Sequence, residues 1–344
     1  MTGQLELPGG QSRRRCVVAV LSFALFVILA AAGQPVSPAQ AGSAPDKLRF
    51  SIGIDPVMSM LLVAKEAGIF QKYNIDAEII QAESGGAALE MTVGGQTDGA
   101  TTTELPGARA RSKGGKIIIT AALAVGDGIF SLVANKDLQK PADVAGKRVG
   151  VAKGTSSEYL YQRFLEVYKI PKESPKVIYI SPQEMIPALI RGDLDAIMAF
   201  EPWVAKAVTT AKGVGAHSVV RGAKQLSGLN QDLILFLYLH ERVVQKKELT
   251  QRVIMALFDT EEFMKSKRAE ARKIASEGFR LDPGLVDSIW AYTTFNINLD
   301  KRTVNDMKLA AKWMLDNRLI EKEPDWDNFF RPEFLKEIRP DRVN

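Results

Sequence analysis

From residue 47 to residue 54 polar and apolar positions alternate, the period of a half-buried strand. Over residues 59–70 the period changes: Met60, Leu61, Ala64 and Ala67 recur at helical spacing, and the run closes around Gly68. A second strand is expected over 77–81, and Ser84-Gly85-Gly86 then leads into a helix over 87–93. A helix from Leu105 to Gly114-Gly115 and a strand over 116–122 follow. Strand and helix alternating at this pitch predict a parallel sheet with helices on both faces. Gly126-Asp127-Gly128 interrupts the pattern and reads as a hinge. Beyond it, strands are expected over 130–134, 148–152 and 176–180. Thr155-Ser156-Ser157-Glu158 and Ser181-Pro182-Gln183-Glu184 have capping-box spacing and open helices, the first running over 158–168. Gly228-Leu229-Asn230 reads as a return hinge, and residues 233–239 as a strand rejoining the first half. From Lys247 onward helix follows helix, with Trp290, Trp313 and Trp326 as packing anchors.

One passage is written twice. Gly95, Asp98 and Glu104 recur as Gly192, Asp195 and Glu201, each pair 97 residues apart. In both copies a helical run stops at a glycine, which can take the left-handed backbone that a helix end needs. An Asp then leads into a short strand, which ends at a Glu and a new helix start. This predicts two α/β lobes of like topology with corresponding strand ends facing one cleft.

The N-terminus has a different character. Arg13, Arg14 and Arg15 precede an apolar run over 16–32, and Ala39-Gln40-Ala41 follows, the pattern of an export signal cleaved near Ala41. Cys16, the chain's only cysteine, lies in that segment, so the mature chain relies on its core rather than on disulfides. Removing the signal lowers the formal charge from +5 to about +3, and the basic residues are scattered among acids. Nucleic acid is therefore not an expected partner.

Open α/β sheets bind ligands beyond the carboxyl ends of their strands. Here the loops at 55–59, 83–86, 101–104, 153–157 and 200–203 qualify, with the return hinge as a floor. The candidate ligand contacts are Asp55, Met58, Ser59, Ser84, Gly85, Thr102, Thr103, Glu104, Asp127, Thr155, Ser156, Glu201, Trp203 and Asn230. Small residues at helix starts offer free N–H groups to an anion, although a capping role accounts for Thr155 without a ligand. Glu104 and Glu201 stand beside Pro106 and Pro202, where a carboxylate caps a helix or complements its dipole. With Asp55, Glu83 and Asp127 set against Lys153 alone, the expected cleft is acid-rich, which favours a zwitterion or a ligand with N–H donors.

No catalytic residue, metal ligand or cofactor emerges. His217 and His240 lack metal-ligand spacing, and no nucleophile-elbow, zinc or phosphate-loop pattern occurs.

Ala64-Lys65-Glu66-Ala67-Gly68-Ile69-Phe70, Gly95-x-x-Asp98, Lys147-Arg148-Val149-Gly150-Val151 with Gly154-Thr155, and the run from Ala188 to Ala196 continuing to Glu201-Pro202 together carry a family likeness. Over about residues 48–334 the chain resembles the extracytoplasmic solute-binding proteins of ABC importers, in the nitrate/sulfonate/taurine group that also includes binders of thiamine-pyrimidine precursors. The resemblance implies a type II periplasmic-binding-protein fold, an α/β protein of two doubly wound lobes joined by a hinge. Lobe one would comprise residues 47–127 and 231–344, and lobe two residues 128–230. It further implies a periplasmic, non-enzymatic protein, here expected to be a monomer, that hands a small polar solute to a membrane permease and its ATPase. The alternatives are a pyrimidine-type thiamine precursor or another nitrogenous or aromatic solute as ligand, a sensing module for a receptor, and an enzyme on the same fold.

Overall fold

The computed structural model describes residues 44–222, 225–226 and 233–343. The expected export signal (1–41) and the return hinge with Asn230 lie outside the described residues.

The first half of the chain runs β1 (Asp46–Gly53), α1 (Met60–Glu66), α2 (Ile69–Lys72), β2 (Ile75–Ala82), α3 (Gly85–Val93), β3 (Gly99–Thr102), α4 (Glu104–Ser112) and β4 (Ile117–Gly126). It continues through β5 (Phe130–Ala134), β6 (Arg148–Val151), α5 (Ser156–Val167), β7 (Lys176–Tyr179), α6 (Pro182–Arg191), β8 (Ala196–Phe200), α7 (Trp203–Thr210) and β9 (His217–Arg221). Strand β10 (Leu233–His240) follows, then helices including Lys247–Ser266, Arg268–Phe279, Pro283–Trp290 and Lys301–Asp316, with β11 (Thr293–Asn298) between the last two.

Two sheets result, ordered β11-β4-β10-β3-β1-β2 and β7-β6-β8-β5-β9. Each has a parallel trio, β2-β1-β3 in one and β7-β6-β8 in the other. Neither sheet is parallel throughout, as the alternation of elements had suggested. Strand β10 runs antiparallel to β3, and β5 runs antiparallel to β8. The reason lies in the chain path. Strands β5 and β10 each follow a passage from one sheet to the other, so each starts at the carboxyl ends of the strands it joins and must run the opposite way. Strands β4 and β10 are buried along almost their whole length, so they read as continuous apolar runs rather than as alternating ones.

The expectation of helix after helix beyond Lys247 fails at β11, which pairs with the hinge end of β4 through Thr293–Gly126 and Phe295–Ala124. Its buried Phe295 and Ile297 alternate with more exposed neighbours, a period-two signal only six residues long. Trp290 is 2% exposed and donates its indole N–H to the Pro56 carbonyl at 3.0 Å. Trp313 and Trp326 are partly buried against the core, the former edge-on to Tyr159 with ring centroids 4.6 Å apart.

The repeated passage has a structural counterpart in both sheets. Gly95 and Gly192 take left-handed backbone conformations, φ 76° and 78°. Asp98 then exchanges two hydrogen bonds with Arg49: its backbone N–H donates to the Arg49 carbonyl at 2.6 Å, and its carboxylate accepts from the Arg49 N–H at 2.8 Å. Asp195 does the same with Arg148, at 2.9 and 2.8 Å. In each sheet the aspartate fastens an incoming strand to its parallel neighbour and satisfies an amide that the ladder leaves over.

Candidate functional site: a cleft between the two sheets

The carboxyl ends of β1, β2 and β3 meet those of β6 and β8 across a cavity of about 390 Å³. At the end of β1, Asp55 is extended and caps a short 3-10 turn over Pro56–Met58, its Oδ1 accepting the Val57 N–H at 2.9 Å. Ser84 caps α3 by accepting the Ala87 N–H at 3.2 Å. Gly53 permits the close approach of these loops, because a Cβ there would lie 2.7 Å from the Gly85 nitrogen.

From the second sheet, Thr155 caps α5 by accepting the Ser157 N–H at 3.2 Å and donates to the Ala152 carbonyl at 2.8 Å. The expected capping box is not formed: Glu158 accepts instead from the Gly154 N–H at 2.6 Å and from the Tyr179 hydroxyl at 2.8 Å. The two sides touch where Thr103 Oγ1 meets Ser156 Oγ at 2.9 Å, both residues buried. The peptide bond between Glu201 and Pro202 is cis.

Of the candidate contacts, Asp55, Met58, Ser84, Gly85, Thr102, Thr103, Thr155, Ser156 and Trp203 line this cavity. Ser59 is buried behind it, donating to the Pro56 carbonyl at 2.7 Å. Glu104 is buried in the first turn of α4 and does not reach the wall. Asp127 lines a separate open hollow at the chain crossing, with Gly128, Arg221 and Tyr292. Glu201 is 1% exposed and engaged within the protein: it accepts from the Ala205 N–H at 3.0 Å and from Arg221 at 2.5 Å. Burial pushes its carboxyl upward, against the pull of those two donors. Asn230 lies outside the described residues.

The acid-rich cleft expected from sequence is not what forms. Of the five carboxylates, only Asp55 and Glu83 are on the cavity wall, and Lys206 and Arg280 are there as well. Lys153 lies over the Tyr179 ring at 5.2 Å and is not part of the wall. Asp55 is 5% exposed, and burial raises its carboxyl to about 7, partly opposed by the Val57 N–H and assisted by nearby Glu201.

Sequence reasoning missed Lys206, Arg280 and part of the apolar wall, including Phe130, Phe279 and Leu281, whereas Phe200 belongs to the 200–203 loop expected there. Lys206 had a signal: it lies three residues after Trp203 on α7, hence on the same helix face, and its ammonium sits 4.9 Å from that ring. Arg280 and Leu281 had none, since they come from a C-terminal segment that read only as packing. His217 and His240 are both off the wall, each hydrogen-bonded close to its own backbone.

Two mixed sheets that the chain crosses between twice, with strand ends facing one cleft, make up the fold of the periplasmic binding proteins. Residues 44–277 match the NMT1-like family, and the chain belongs to that family. The alkanesulfonate-binding protein SsuA from Xanthomonas axonopodis pv. citri, bound to MOPS, has TM-score 0.72 at 20% identity, over 84% of this chain and 99% of that one. The periplasmic aliphatic sulphonate binding protein SsuA from Escherichia coli has TM-score 0.71 at 19% identity, over 82% and 96%. The desulfurization enzyme DSZB, in complex with biphenyl-2-sulfinic acid, has TM-score 0.67 at 18% identity, over 86% and 99%. At these identities the likeness is one of fold, shared by binders and by an enzyme. Among the described residues no helix is long and apolar enough to cross a membrane.

Proposed function

We propose that this chain is the exported substrate-binding subunit of an ABC importer and that its ligand is a small organic anion of the sulfonate type. The observation that carries the reading is the make-up of the cavity. The starts of α3 and α5, at Ser84–Gly86 and Gly154–Ser156, open onto it together with the cations Lys206 and Arg280. Backbone N–H groups at helix starts and nearby cations suit an anionic head. Met58, Phe130, Phe200, Phe279 and Leu281 suit an apolar tail.

Size argues against nitrate. A cavity of 390 Å³ has room for about a dozen waters at about 30 Å³ each, so a four-atom anion would leave most of it unfilled. In this reading residues 47–127 and 231–344 form one lobe and 128–230 the other, hinged near Gly126–Gly128. Closure on the ligand, of which the Thr103–Ser156 contact is one part, produces the form that a membrane permease recognises. The protein works in the periplasm as a monomer, and the partner ATPase supplies the energy.

Calorimetric titration at pH 6 with methane-, butane- and hexanesulfonate, and with nitrate, tests the ligand class. Affinity should rise with chain length by up to about fourfold per added CH₂, equivalent to about 0.8 kcal/mol. Tighter binding of nitrate or of an alkylamine than of every sulfonate would overturn the reading. The structural likeness to DSZB supports a second reading, an enzyme acting on a sulfinate, and release of sulfite from an aryl sulfinate would establish it.

A further inference from the structure

Among the described residues, Asp55 is the one carboxylate that is both buried and on the cavity wall. Its Oδ1 is engaged by the Val57 N–H, and among the described residues its Oδ2 has no hydrogen-bond partner. The residue also stands at the anion-seeking end of the cavity. Two residues before it, Gly53 packs so closely on the start of α3 that a Cβ would come within 2.7 Å of the Gly85 nitrogen and 2.9 Å of the Ser84 carbonyl carbon. Between them, Ile54 donates to the Ala82 carbonyl at 3.2 Å. An anionic head drawn to the α3 start therefore arrives beside this carboxyl group.

The two protonation states of Asp55 have opposite effects on such a ligand. The ionised form repels an anion, and Asp55, 5% exposed, is screened less than a charge in open water. The neutral form has an O–H to donate to one of the anion's oxygens. We propose that the cleft binds its organic anion together with a proton held on Asp55, so that the pair is taken up as one unit. The proton comes from solvent, remains on the carboxyl, and no covalent bond is made or broken. This inference rests on the organic-anion reading above.

The surroundings keep that proton available near neutrality. Burial is the largest influence on the Asp55 carboxyl and raises it to about 7. Glu201, across the cleft, pushes in the same direction and is itself tied to Arg221. Glu83, Lys206 and Arg280 share the cavity wall. On the helices packed against the Pro56–Met58 turn, Arg268 lies over the Trp290 ring and Arg272 is paired with Asp287. Neither histidine lines the cavity.

The test is titration of the purified protein with butanesulfonate from pH 6 to pH 8.5, run at pH 8 in two buffers of different ionisation heat. The dissociation constant should climb above pH 7, approaching about tenfold per pH unit. The buffer comparison at pH 8 should show close to one proton taken up per anion bound. Asp55→Asn, which keeps an acceptor for Val57 and carries no charge, should abolish both the slope and the uptake. The two-buffer measurement needs no variant, so it stands even if Asp55→Asn folds poorly. Affinity independent of pH, proton release on binding, or an unchanged slope in Asp55→Asn would overturn the inference. Absence of binding by any alkanesulfonate at pH 6 would instead overturn the organic-anion reading itself.

Discussion

At the amino ends of β3 and β8 the two sheets repeat each other's backbone hydrogen bonds, while at the carboxyl ends of the same strands they part company. Asp98 and Asp195 each clamp a neighbouring arginine's backbone, and each also holds a guanidinium. Even there one detail differs: Arg148 supplies both backbone and side chain to Asp195, whereas the guanidinium at Asp98 comes from Arg242, 144 residues away. At the far ends, Glu104 starts a helix in one half, and Glu201 in the other is locked to Arg221 and precedes a cis proline. Repetition was kept where the backbone needs it. At the ends that face the cavity the two halves make different contacts: Thr102 and Thr103 line the wall on one side, and Phe200, Pro202 and Trp203 on the other.

This contrast can be broken by substitution, and the largest effect belongs to a cleft-end residue. Asp55 is about 7 in the folded protein, well above its value in an unfolded chain. A raised carboxyl costs nothing below the unfolded value, becomes costly as pH rises toward 7, and costs a constant amount above it. Asp55→Asn should therefore stabilise the unliganded protein at pH 8, by about 4 kcal/mol at most, and leave it unchanged at pH 3, as read by urea unfolding. A loss of stability at pH 8 would show that the buried carboxyl is a structural asset after all.

Glu201→Ala should act in the other direction. It strips acceptors from the Ala205 N–H and Arg221 in a site that is 1% exposed, at a cost of about 3 kcal/mol. Glu201→Gln, which keeps an acceptor, should cost visibly less.

The matched aspartates come next. Asp98→Ala and Asp195→Ala should each cost about 2 kcal/mol, agree closely with one another, and add in the double variant. Unequal costs would mean that the longer-range Arg242 contact matters more than the shared backbone clamp. Arg148 holds the Asp195 carboxyl below its ordinary value. Its contribution is therefore full above the unfolded carboxylate range and fades as pH falls through the lowered folded value. Asp195→Asn should show a shallower loss of stability on acidification.

The smallest effects lie at the glycines. Gly95→Ala and Gly192→Ala should each cost about 1 kcal/mol from left-handed strain. Gly95→Ala should be slightly the worse, because Arg242 lies 3.3 Å from the added Cβ while nothing stands within 4 Å at Gly192.

Much of the scaffold was legible in the chain, and the reason is locality. The alternation over 47–54, the helical spacing after Ser59, and the Gly–Asp–strand–Glu passage written twice each express a requirement of a few neighbouring residues. The loops at strand ends follow from that pattern, which is why Asp55, Ser84, Thr102, Thr103, Thr155 and Ser156 could be named as cavity residues before any coordinates. Strand β11 escaped notice because six alternating residues among long helices are a faint signal.

The charge of the cleft was not legible. Counting Asp127, Glu104 and Glu201 as cavity carboxylates assumed that a side chain near a strand end turns toward the ligand. Glu201 turns instead to Arg221, 20 residues further on, and Arg280 reaches the wall from the end of a helix that the pattern assigned to packing. The sequence alone determined the alternation of strand and helix, the Gly–Asp–strand–Glu passage in each half and the strand-end loops, because these depend on backbone conformation and on residues close together in the chain. The tertiary structure alone decided which charges face the cavity and that Asp55 is buried, because burial and ion pairing depend on segments brought together from far apart in the chain.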